Sequence, residues 1–444
     1  MKNLLARYLL TGLVAITLGS CGLFESEKPK PVGSKTDFTK YIAVGNSLTA
    51  GYMDGGLYRE GQLNSYPNIL AQQFKTAGGG DFLQPLFTEQ QANGSGYLKL
   101  TGFTATGSPI LTPVTTNLAQ RGGLALPGGP RLTKFTDANL QNLAVPGMSV
   151  LSSVVPLYGT LNPYYERLLE DTDVLTKTYL NFISNRNHTF FSLWLGSNDA
   201  LDYATNGGEA QTGNPFSGLT KATEFRETYN RILDALTANG ASGVVATIPE
   251  ITAIPYFTTI TVATARTQAK AVNPQYDVYI KTGPNQTDVR IAQTEDLILL
   301  SAIGTIGRLD LLGSEQVPHG YTAANPLLDT EVLDKDEAAE IKARIIEYNK
   351  GITEIATAKG LALVDIQAAF SGTLAANSML SIYVSGVAQN PAPIVNSVIS
   401  VDGIHPTPRG YALIANEFIK AINNQYGSAI PQVNANDYRG IAYP

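Results

Sequence analysis

The sequence predicts an α/β fold in which a parallel sheet is flanked by helices. Two observations carry this. Short runs of β-type residues alternate along the chain with segments of helical periodicity, the pattern that parallel strands joined by crossover helices produce. The 444 residues are 43% hydrophobic and 15% charged, enough apolar material for a large core and too little charge for bulk disorder.

The strands come first. Tyr41–Val44 is an apolar run that ends at Gly45. A weaker strand is expected to lead into Asn142. Thr189–Leu195 is bounded by the turn at Gly196, Gly243–Ile248 is stopped by Pro249, and Leu361–Ile366 is the last run. The helices follow. Phe225, Tyr229, Ile232, Leu233 and Leu236 share one face of a segment from about Lys221 to Asn239. Ile341, Ile345, Tyr348, Ile352 and Ile355 alternate steps of four and three, an apolar stripe suited to a sheet face. Asp334 and Glu337 fit a capping box at its start. The acidic run 329–337 that contains them lacks the glycine of a calcium loop, so no metal is expected. Thr407–Ile422 is the final helix.

Two stretches exceed a minimal sheet-and-helix unit. Thr76–Phe135 is rich in Gly, Thr and Pro, and Phe257–Asp329 holds scattered strand-like runs and the apolar patch Leu297–Ile303. Segments this long are usually functional or form subdomains. Both are expected at the rim of a site, where they would shape access. The main domain is then 38–425, with insertions at about 76–135 and 257–329 and a tail over 426–444.

The amino terminus reads as an address. Lys2 and Arg7 precede the apolar run Tyr8–Leu18, which is too short to span a bilayer. The run leads into Leu18-Gly19-Ser20-Cys21, which resembles a bacterial lipoprotein signal: 1–20 would be removed and Cys21 lipidated at a membrane surface. Gly22 after the cysteine resembles sorting to the outer membrane. Residues 21–37 would be a flexible tether. Cys21 is the only cysteine, so no intrachain disulfide can form. Formal charge is −6, and −8 once Lys2 and Arg7 are set aside. Without a basic cluster, nucleic acid is a poor partner.

Candidate chemistry gathers where strands end. Ser47, in Gly45-Asn46-Ser47-Leu48-Thr49, follows the first strand and is either a nucleophile or an ordinary turn residue. The chain has three histidines. His188 stands at the entrance of a strand, away from any site at the carboxyl edge, and His319 lies in the second insertion. His405 follows Asp402 by three residues in a loop. On spacing alone that pair is either a base with its orienting carboxylate or a structural histidine capped by a local aspartate. Asn198, in Gly196-Ser197-Asn198-Asp199, is likewise a site residue or a turn. No zinc-type His-Glu-x-x-His pair, cysteine cluster, complete dinucleotide fingerprint or phosphate loop occurs, so no cofactor is expected. Trp194, in a buried run, reads as core.

Four segments in order, Gly45–Thr49, Asn142–Gly147, Gly196–Asp199 and Asp402–Thr407, resemble the blocks of the SGNH (GDSL-type) serine esterase/lipase family. The resemblance implies a three-layer, flavodoxin-like parallel sheet and cleavage of carboxylic esters through a seryl acyl-enzyme. It implies Ser47 as nucleophile, His405 as base and Asp402 as its orienting group. The backbone N–H groups of Ser47 and Gly147 and the side-chain amide of Asn198 would form the oxyanion hole. Asn46 departs from the family, which usually has Asp there. Acetylated glycans and lipid or short-chain acyl esters remain competing substrates. The patch at 297–303 hints at an acyl pocket, while the scarcity of tryptophan weighs against sugar stacking. The alternative is a non-catalytic surface binding lipoprotein on a hydrolase scaffold.

Overall fold

The computed structural model describes residues 36–105, 108–283, 287–374 and 395–444. Four parallel strands form the central sheet: β1 (Tyr41–Gly45), β2 (Phe190–Trp194), β3 (Ser242–Ala246) and β4 (Ala362–Val364), in spatial order β1-β2-β3-β4. The expected weaker strand is an extended segment bonded to the free edge of β1 rather than a full strand. Ala43 N–H donates to Gln141 O (2.8 Å), Leu143 N–H to Ala43 O (2.8 Å) and Val145 N–H to Gly45 O (3.0 Å). Counted as the chain's second strand, it gives the spatial order second-first-third-fourth-fifth. That is the flavodoxin-like order, in which ligands collect beyond the carboxyl ends of the strands beside the first.

Alternation along each strand divides the core into two faces. Ile42, Val44, Phe191, Leu193 and Val245 face one cluster, and Tyr41, Ala43, Phe190, Trp194 and Val244 face the other. Helices α3 (Ala222–Thr237) and α4 (Lys335–Ala358) cover the first, burying the two stripes read from the sequence. Helices α1 (Tyr66–Phe74) and α5 (Pro408–Tyr426) cover the second, with Tyr66 stacked on Phe418 at 4.5 Å. A shorter helix, α2 (Asn198–Thr205), leaves the end of β2. Asp334 caps α4 by accepting from the amides of Asp336 and Glu337 (2.9 and 3.0 Å), and Glu337 reciprocates on Asp334 N–H (2.8 Å). Trp194 is fully buried and donates to Thr247 O (3.1 Å), a core residue as expected.

The second insertion builds its own small core. Val262, Ala265, Val278, Ile280, Ile298 and Leu327 pack together among short hairpins at Tyr279–Thr282/Asp288–Ile291 and Leu309–Leu312/Glu315–Pro318. The segment after α5 folds back on that helix, where Asn416 and the backbone of Val433 exchange two 2.9 Å hydrogen bonds. Among the described residues no helix is long and apolar enough to cross a membrane. Cys21 and the signal segment lie outside the described residues.

Candidate active site

β1 ends at Gly45, and the chain turns at once into a short helix, Ser47–Ala50. The turn is tight. A Cβ on Gly45 would lie 2.5 Å from the carbonyl oxygen of Trp194, so only glycine fits beside β2. Asn46 is almost fully buried; its Oδ1 accepts from Leu48 N–H (3.1 Å), while among the described residues its Nδ2 has no hydrogen-bond partner. The acceptor shared with an aspartate is thus used here, and the donor that asparagine adds is not.

The loop before α5 brings the far end of the chain to this turn. The Ser47 hydroxyl lies 3.0 Å from His405 Nε2, and His405 Nδ1 lies 2.8 Å from Asp402 Oδ2. The carboxylate collects four further donors: Ile404 N–H and His405 N–H (2.9 Å each), Ser400 Oγ–H (3.0 Å) and Gly55 N–H (2.9 Å). Burial works to raise the Asp402 carboxyl. The facing His405 charge, its hydrogen bond and the two loop amides outweigh burial and bring the carboxyl down to about 2. With Asp402 ionised, Nδ1 keeps its proton and Nε2 is left free to accept from the serine.

A latch holds the two loops together. Asp54 N–H donates to Ser400 Oγ (2.9 Å), Val401 N–H to Asp54 Oδ1 (3.2 Å), Tyr58 O–H to Asp54 Oδ2 (2.7 Å), and Tyr411 O–H to Tyr52 O (2.6 Å). The Tyr52 ring lies 4.6 Å from the imidazole. Ser400, Asp54 and the Gly55 amide were not foreseen, because a backbone donor and a lone serine leave no pattern in a sequence.

Ser47, Gly147, Asn198 and His405 line one cleft of about 670 Å³ at the carboxyl edge of the sheet. Each of the first three comes from a different neighbouring strand. Gly147 sits at φ +79°, a left-handed conformation that disfavours a side chain, and a Cβ there would crowd Asn162 Nδ2 at 3.2 Å. Asn198 donates one Nδ2 proton to Met148 O (3.0 Å), which ties it to the turn carrying Gly147. Asp199 lies beneath. Burial raises its carboxyl to about 7 against the pull of the Val150 and Leu151 amides and the Thr220 hydroxyl.

The other two histidines stand elsewhere. His188 is buried at the amino end of β2, between Arg186 O (2.9 Å) and Leu236 O (2.8 Å). His319 is held by Glu331 (2.6 Å) and Asn325 (3.2 Å) inside the second insertion.

The first insertion reaches the cleft through Pro127 and Gly128. Its loop is pinned by Glu166, almost fully buried, which meets Arg121, Arg131 (2.9 Å) and Lys134 (3.0 Å). The second insertion corrects the expectation. None of its described residues lines the cleft, and the expected acyl patch is largely spent on packing, with Ile298, Leu299, Leu300 and Ala302 buried. It buttresses the histidine loop from below, since a Cβ on Gly403 would sit 3.0 Å from Leu300 Cδ2. The opposite wall of the cleft is instead Gln211–Phe216, an irregular segment with no periodic signal.

A parallel sheet with a serine–histidine–carboxylate relay at its carboxyl edge defines the class of serine-hydrolase-like α/β proteins. The chain belongs to the GDSL-like lipase/acylhydrolase family, whose sequence profile matches residues 41–418, and is an ester hydrolase. No curated protein matches it. Among solved structures it is similar to an alpha/beta hydrolase enzyme from the metagenome of Lake Arreo, Spain, at 15% identity and TM-score 0.35, over 87% of this chain and 95% of that one. The lipase/acylhydrolase from Enterococcus faecalis aligns at 12% and 0.32, over 89% and 100%. A catalytic mutant of an acetylxylan esterase from Geobacillus stearothermophilus aligns at 11% and 0.33, over 88% and 95%.

Proposed function

We propose that this ester hydrolase works through an acyl-enzyme on Ser47, as an exported lipoprotein tethered through Cys21. The observation that carries the mechanism is the unbroken hydrogen-bond chain Ser47–His405–Asp402 at the cleft. Ser47 Oγ attacks the ester carbonyl carbon while its proton passes to His405 Nε2. Negative charge on the carbonyl oxygen is taken by the Ser47 and Gly147 amides and the Asn198 side chain. Collapse breaks the bond to the alcohol oxygen, which leaves with the proton from His405. Water then attacks the acyl carbon, gives a proton to His405, and releases the acid as Ser47 recovers that proton.

A serine-reactive phosphonate should label the protein once, at Ser47, and Ser47→Ala should be unlabelled with ester turnover lowered by up to about 10⁶-fold. Comparable turnover in the two proteins would reject the mechanism. The anchor rests on the sequence around Leu18-Gly19-Ser20-Cys21, and the outer membrane is the destination that Gly22 suggests. Cys21→Ser should leave an unprocessed precursor without acyl mass; a mature, acylated Cys21→Ser protein would reject the anchor.

A further inference from the structure

Two cavities of opposite character meet at Ser47, sharing Ser47, Asn198, Leu201, Ile404 and His405 in their walls. The smaller, about 30 Å³, is lined further by Leu48, Pro249, Ile251, Ile254 and Phe370. One water-sized group needs about 10–15 Å³ on this measure, so the pocket holds about two or three. That is the size of an acetyl group.

The larger cleft, about 670 Å³, is built differently. Asn198, Leu201, Asp202 and Thr205 present one face of α2 to it, at helical spacing. Asp202 therefore sits one turn, about 6 Å, beyond the proposed oxyanion donor. Among the described residues its carboxylate has no hydrogen-bond or ion-pair partner, unlike Asp199 one turn back, which has three. Desolvation alone pushes the Asp202 carboxyl up to about 6. A half-buried carboxylate facing a cleft without a protein donor is left to water in the free protein, and a ligand that displaces that water keeps the bond by offering a donor of its own.

The facing wall selects among donors. Gln211 and Asn214 line the cleft; an amide carries both donors and an acceptor, and Asn214 Oδ1 already accepts from Phe216 N–H (3.1 Å), so Asn214 brings chiefly its Nδ2 donors to a ligand. A sugar hydroxyl also both donates and accepts, whereas an ammonium only donates. Tyr52 and Tyr164 add aromatic surface beside the imidazole.

We infer that the substrate is a short-chain, acetyl-sized ester of a hydroxyl-rich, sugar-like alcohol, with Asp202 accepting a hydroxyl of the alcohol half. This rests on the acyl-enzyme reading: the acetyl group passes to Ser47, and the sugar oxygen leaves with the proton from His405. Asp202 is a specificity residue and takes no part in bond breaking.

The test measures kcat and KM for wild type, Asp202→Asn and Asp202→Ala on a mono-O-acetylated methyl glucoside, 4-nitrophenyl acetate, 4-nitrophenyl octanoate and acetylcholine. Wild type should prefer acetate to octanoate by at least about 10-fold and the glucoside ester to acetylcholine. Asp202→Ala should lower the ratio of kcat/KM on the glucoside ester to that on 4-nitrophenyl acetate by about 10–100-fold, mostly through KM. Asp202→Asn, isosteric and still an acceptor, should lie between. Equal losses on both acetates would make Asp202 merely structural and overturn the inference, as would a preference for octanoate or for acetylcholine. A wild type inert on all four esters would instead sink the acyl-enzyme reading beneath it.

Discussion

Asn198 carries one observed bond and one proposed task in the same amide, and measurement can separate them. One Nδ2 proton holds Met148 O at 3.0 Å; the proposed oxyanion role would fall to the other. Truncating Asn198→Ala should lower kcat by about 10²–10³ with a smaller change in KM, because the donor acts on charge that exists only in the transition state. The lost bond to Met148 should cost about 1 kcal/mol of stability, read as a lower urea midpoint. A mutant that unfolds earlier yet keeps its kcat would make Asn198 only a brace for the Gly147 turn. Asp402 acts differently. Its carboxyl is held at about 2 against an ordinary 3.8, so the stability it contributes is complete above about pH 4 and is lost as pH falls towards 2. The Asp402 carboxylate therefore stays ionised throughout the neutral range.

At the level of elements, the two insertions are secured by different chemistry. The first is pinned by three cations around the buried Glu166. The second depends on His319 and Glu331. The hydrogen bond to Glu331 raises the His319 imidazole above 6.5, despite burial. Burial raises the Glu331 carboxyl, but bonds from His319 and Thr305 outweigh it and hold the group below 4.5. The sign follows from linkage. The histidine's contribution is complete below about pH 6.5 and fades as pH rises through its raised native value; the glutamate's is complete above about pH 4.5 and fades in acid. The tie is therefore fullest between these limits. Amide protection in the Leu309–Leu312/Glu315–Pro318 hairpin, corrected for intrinsic exchange, should fall about 3–10-fold from pH 6 to 9. His319→Gln should remove that dependence. If the dependence survives in His319→Gln, another group titrates there.

Across the whole molecule, what was legible in the sequence follows from how constrained each part is. Buried parallel strands must be apolar runs, so β1, β2, β3 and β4 were each located within a few residues of their ends. The stripes on α3 and α4 were equally plain, because only one helical face can meet the sheet. Ser47, Asn198, Asp402 and His405 were singled out by the resemblance of their segments, in order, to the SGNH blocks; the scarcity of histidine and of strand ends narrowed the candidates but left each open to a structural reading. The walls of the cleft were not legible. Gln211–Phe216 is irregular, and irregular segments carry no period to read. Asp202 was within reach, since its spacing from Asn198 puts both on one face of α2. Leu297–Ile303 misled for a physical reason: an acyl pocket and a small core demand the same apolar residues, and composition cannot tell a cavity from its filling.

The Asp54–Ser400 latch joins parts of the chain made at opposite ends of synthesis, and Ser47 and His405 lie 358 positions apart. Closing so long a loop costs only about 0.6 kcal/mol more than closing one half its length. Distance along the chain is thus no thermodynamic obstacle, but it does impose an order in time. Three strands and the nucleophile's turn emerge and can dock long before the imidazole exists. On the proposed mechanism, esterase competence must therefore wait for residue 405. A ribosome stalled between β4 and residue 405 holds every strand of the sheet and Ser47 but not the proposed base, so on that mechanism an unfinished copy cannot attack esters where it is made.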